Sequence, residues 1–147
     1  MQKELLLEIV KQNQLTSHFS LDRVTEQNAG LRLNANTASI GFIFRHIGET
    51  MNLFGQMLGI PTDVKNTTIG QTDSGQKFEV EYSRQLIARG YEVLNELVQN
   101  SADADWLKTI DTPFFGKVSR IRLFVHILFH TSHHAGQISM TLSKGSE

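Results

Sequence analysis

The chain has no cysteine. This excludes disulfide staples, thiolate metal ligands and a cysteine nucleophile together, so any metal it holds must be bound by nitrogen and oxygen. Proline occurs only twice, in GIP at Pro61 and in TPFFG at Pro113, and both positions read as loop markers. Long hydrophobic runs are also missing: no segment approaches the ~20 residues needed to cross a bilayer. The N-terminal MQKELLLEIVKQN patch is too short and too charged for a signal peptide. A soluble cytoplasmic protein without a membrane partner is therefore expected. Neither sign of charge dominates, with 14 Lys and Arg against 15 Asp and Glu and a net charge of −1. No basic block marks a nucleic-acid surface, so nucleic acid is not expected as a partner.

The 147 residues fit one domain, 1–147, large enough to bury its own core. Four stretches carry helical periodicity, and no strand-like alternation competes with them. The first helix is expected from about Lys3 to Phe19, with Leu5, Leu6, Ile9 and Val10 on its apolar side. The second is capped near Asn36 and carries Ile40, Ile43, Ile47, Met51, Phe54 and Leu58, ending at Gly59-Ile60-Pro61. The third runs from near Ser74 to about Gln99, with apolar stripes on two sides. The fourth runs from about Ser119 to Leu142. Long connections between them point to an all-α fold, a four-helix bundle. The Asn66-Thr67-Thr68 sequon reads as loop polarity, since no secretory signal accompanies it.

What the chain does have is histidine in concentration. His126, His130, His133 and His134 fall within nine residues, closing in FHTSHHAGQISM. At roughly 100° per residue, Leu123, Ile127, His130, His134, Gln137 and Thr141 lie within about 80° of one another, so these imidazoles face the bundle interior. His130 and His134, four residues apart, stand one turn above the other and can address one ion. His126 with His130 has the same spacing, so the angular argument alone leaves both pairs open. His46, in FIFRHIGETMNLFG, is a third candidate from another helix. Three neutral nitrogens would leave a coordination position open, as catalytic zinc sites do. Thr131 stands where helical zinc proteases carry their glutamate base, which disfavours that chemistry. Glu49 is a candidate base or a carboxylate behind the ligands, with a solvated surface charge as the alternative. Trp106, Phe114 and Phe115 either wall a pocket mouth or bury their own loop.

The order of elements and two patches, FRHIGETMNLFG and HTSHHAGQI, resemble the DinB-like superfamily of four-helix bundles. That group also resembles bacillithiol S-transferases and mycothiol-dependent maleylpyruvate isomerases. The resemblance implies a metal triad of His46, His130 and His134, with His133 outside it. It further implies a divalent ion, zinc or nickel, transfer of a small thiol to an electrophilic small molecule, and a homodimer. Lacking cysteine, the chain would take the thiol as a cosubstrate. Ala135 departs from the pattern, because many relatives carry arginine before the Gly-Gln pair. A hydrolase using the same triad with Glu49 as base, and a metal-binding or stress-response bundle without turnover, are the competing readings.

Overall fold

A computed structural model describes residues 2–147. Four helices dominate: α1 (Gln2–Leu21), α2 (Ile40–Met57), α3 (Val80–Asn100) and α4 (Arg120–Lys144). Packing joins α2 to α3 and α4, and α1 to α3 and α4. The order around the bundle is thus α1, α3, α2, α4, which sets α1 diagonally across from α2 and α3 across from α4. The first linker, 22–39, and the third, 101–119, make those diagonal crossings, while the second, 58–79, joins neighbouring helices.

The central element is α2. It is buried on nearly every side, its polar Arg45, Glu49, Thr50 and Asn52 included, and Phe44, Ile47 and Met51 are fully buried with Leu94, Leu97, Phe124 and Ile127 of the facing helices. Small residues let α2 and α3 approach closely. A methyl group on Gly90 would stand 2.5 Å from Met51 Cβ, and one on Gly48 would stand 2.6 Å from Leu86 Cβ. Between them the buried Asn52 side chain donates to the Gly48 and Leu86 carbonyls, each at 2.8 Å. Those bonds use both amide hydrogens, while the buried Oδ1 of Asn52 has no hydrogen-bond partner.

Four expectations change at the edges. The cap of α2 is Ser39 rather than a residue near Asn36, its hydroxyl accepting from Phe42 N at 3.3 Å. Asn34 to Thr37 instead close a turn of their own through Thr37 N and Oγ1. α3 begins at Val80 rather than Ser74, because Gly75 takes a positive φ of 89° and Gln76 folds back to accept from Ser74 N. A short antiparallel hairpin, β1 (Thr109–Thr112) and β2 (Gly116–Ser119), precedes α4 where no strand was expected. Its turn carries Pro113 and uses Gly116 at φ 62°, a conformation glycine adopts without steric cost. On α1, Val10 is buried, but Leu5 and Ile9 are 60% and 51% exposed, so half of the expected apolar side faces outward. Among the described residues, no helix is long and apolar enough to cross a membrane.

Candidate metal centre

Three of the six histidines converge where α2 packs on α4. His46 Nε2 lies 2.9 Å from His130 Nε2, and His134 Nε2 lies 3.1 Å from the same atom. One nitrogen from each of the three falls within 4.8 Å of the other two. Two of these residues come from one helix at i,i+4 spacing, and the third is 84 residues away along the chain. Nitrogens sharing an ion at ~2.0–2.1 Å stand about 2.9–3.4 Å apart, for right-angled to tetrahedral arrangements.

The outer nitrogens decide what the inner ones present. Thr68 Oγ1 spends its proton on Glu49 Oε2 at 2.7 Å, so toward His46 Nδ1, 3.3 Å away, it acts as an acceptor. His46 therefore carries its proton on Nδ1 and turns a bare lone pair inward. Gln137 Oε1, 2.6 Å from His134 Nδ1, fixes the same tautomer there. His130 Nδ1 is buried without a protein partner. Two lone pairs thus face a single His130 Nε2, whose one proton cannot satisfy both, and the arrangement fits a cation in their midst.

Electrostatics agree with that fit. Burial, reinforced by the neighbouring His134, pushes the His46 imidazole down to about 4. Burial and then the surrounding imidazoles push His130 down to about 2. Burial also lowers His134, against the opposing pull of its Gln137 hydrogen bond. All three are neutral near pH 7 and so free of the proton with which a metal would compete.

Glu49 is not a surface charge. It is 1% exposed, and its carboxylate accepts from the backbone N–H groups of Thr67 and Thr68 and from both their hydroxyls. Arg45 Nη1 stands 3.9 Å away, while its Nε donates to Ser83 Oγ and its guanidinium lies against the Phe78 and Tyr82 rings. Glu49 reaches the cluster only through Thr68. Thr67 and Thr68 had only a sequon to mark them. Their value depends on a loop folding over α2, and no local pattern encodes that.

The remaining histidines lie outside the nitrogen cluster, with the His126 ring 5.7 Å from that of His130 and the His133 ring 5.0 Å from that of His134. His126 stacks on Phe54, with ring centroids 5.7 Å apart, and meets Phe115 edge-on at 4.6 Å. His133 is exposed, and His18 pairs with Asp22 at 2.6 Å. Trp106 buries its own loop against Phe124, whereas Phe114 and Phe115 stay 52% and 44% exposed and wall the His126 side. On the opposite side a cleft of about 560 Å³ opens onto His46, Thr68, His134 and Gln137.

Fold and site together define a four-helix bundle with a three-histidine cluster suited to a metal. A profile of the DinB superfamily matches residues 9–138, and the chain belongs to that superfamily. Two solved structures share the fold. One is TT2238, a four-helix bundle protein, at TM-score 0.65 and 15% identity, covering 93% of this chain and 98% of its own. The other is a conserved protein from Enterococcus faecalis, at TM-score 0.71 and 13% identity, covering 96% and 97%. No curated protein matches the chain.

Proposed function

We propose that the protein is a metal-dependent enzyme that transfers a small thiol to an electrophilic small molecule, with zinc or nickel held by His46, His130 and His134. The observation that carries this reading is the convergence of three Nε2 atoms, with the outer nitrogens of His46 and His134 positioned by Thr68 and Gln137. A divalent ion there supplies Lewis acidity that ionises a thiol near neutral pH. The protein's own part is to keep three imidazoles neutral, to hold two of them in the ligating tautomer, and to wall the site with Phe42 and Ile43. In the transfer, a sulfur–carbon bond forms as the bond from carbon to its leaving group breaks, and the thiol proton departs with that group. Hydrolysis is less well supported, because the Glu49 carboxylate is already engaged by Thr67 and Thr68. On this reading the protein is a cytoplasmic homodimer acting on small molecules, with neither nucleic acid nor membrane as partner.

The test is untagged protein loaded with zinc or nickel, given a small thiol and a haloaromatic electrophile. Thiol consumption that requires both metal and protein is expected, with about one ion bound per chain. Ester or amide cleavage without thiol would transfer the assignment to hydrolysis, and bound metal with neither activity would leave a binding protein.

A further inference from the structure

The cleft beside His46 and His134 has no Lys, Arg, Asp or Glu in its lining. Its volume of about 560 Å³ lies in the range of small-molecule sites. Leu33, Phe42, Ile43 and Met140 make its walls apolar, and Gln71 and Gln137 bring side-chain amides to it. Charges close by are committed elsewhere. Arg32 pairs with Asp73 at 2.9 Å and donates to the Thr37 carbonyl at 2.6 Å, while Arg45 is held by Ser83 between two aromatic rings. The absence of charge belongs to this cleft and not to the whole neighbourhood: a second hollow of about 440 Å³, beside His126, is bordered by Arg122.

A charged group entering an apolar cleft loses its hydration and needs a partner of opposite sign in return. The side chains lining this cleft offer none, so a charged group held out of reach of an ion on the histidines stays unpaired. The cleft does offer a donor, because Gln137 gives its amide oxygen to His134 and its amide nitrogen makes no protein hydrogen bond among the described residues. We infer that the cleft binds an uncharged, mainly apolar small molecule bearing a hydrogen-bond acceptor, and selects against carboxylates. The inference rests on reading the adjacent histidines as the metal-centred reaction site, since that makes the occupant a reactant.

A matched pair of probes reads the selection: 4-methylbenzenethiol and 4-sulfanylbenzoate, whose para groups are held rigidly away from the sulfur. Both are titrated into zinc-loaded and metal-free protein while the amide resonances of Gly70, Gln137 and Met140 are followed. The methyl compound should bind zinc-loaded protein at least about ten-fold more tightly, and should keep its advantage, at weaker affinity, without metal. Equal or tighter binding of the carboxylate in either state overturns the inference. Failure of the metal reading shows separately, as affinities that zinc does not change. Leu33 lines the cleft and is 41% exposed. Leu33→Arg should close the gap between the probes, and an unchanged gap would show that the selection lies elsewhere.

Discussion

His133 and His134 are neighbours in sequence, yet only His134 belongs to the nitrogen cluster, because adjacent helical residues diverge by roughly 100°. Under the proposed metal site, His134→Ala should lower zinc affinity by more than the roughly 10–100-fold that loss of an outer-shell partner costs. His133→Ala and His126→Ala should leave it close to that of the wild type. Calorimetric titration of the three variants decides this, and loss in His126→Ala with retention in His134→Ala would move the pair one turn upstream. Glu49 acts at the same scale, through Thr68. Glu49→Gln should weaken zinc binding by about 10–100-fold, and Thr68→Val should produce a similar loss that does not add to it in the double variant. Nitrogen NMR of His46 in the metal-free protein supplies a second readout, since both variants should shift its proton away from Nδ1. A fixed tautomer in both would remove Glu49 from any role in holding His46.

Among the elements, the closeness of α2 and α3 is the most exacting feature. Gly48 and Gly90 admit no side chain without displacing Leu86 or Met51. Gly90→Ala should therefore destabilise the protein by about 1–3 kcal/mol, although alanine is the better helix former. Urea unfolding measures this, and a stabilised variant would mean that the two helices can separate freely. The contact matters for the site as well, because the α2 that packs on α3 also presents His46 toward α4.

At the scale of the whole molecule, the depressed histidines couple stability to pH. In the unfolded chain a histidine titrates near 6.5, whereas folding pushes His46 down to about 4 and His130 to about 2. As pH falls below about 6.5 the unfolded chain takes up protons that the folded, metal-free protein declines, so stability falls with pH. The melting temperature of metal-free protein should drop between pH 7.5 and 5. A flat profile would show that these imidazoles are not desolvated. The surface makes a second whole-molecule prediction. The apolar stripes of α3 are largely used inside the chain, leaving little there for a partner, whereas Leu5, Ile9, Leu15 and Phe19 leave an apolar outer face on α1. If that face joins two copies, light scattering should give twice the 16.6 kDa chain mass, and Ile9→Glu with Phe19→Glu should halve it. A wild-type monomer would rule the dimer out.

Sequence alone determined what depends on neighbours a few residues apart. The 3.6-residue period announced four helices, the i,i+4 spacing of His130 and His134 set their rings on one face, and the lack of cysteine confined ligation to nitrogen and oxygen. His46 stood out as a third candidate on another helix, and the DinB-like resemblance joined it to His130, 84 positions away, and His134, as no local window could. Tertiary structure alone decided the rest. It buried Glu49 beneath a threonine loop that looked like a mere sequon, sent half of the apolar side of α1 outward, folded TPFFG into a hairpin, and left a cleft without charge beside the histidines. The physical reason is that helical periodicity is a property of one segment. Burial, hydrogen-bond partners and tautomer arise where distant segments pack, and no single segment encodes the register of that packing.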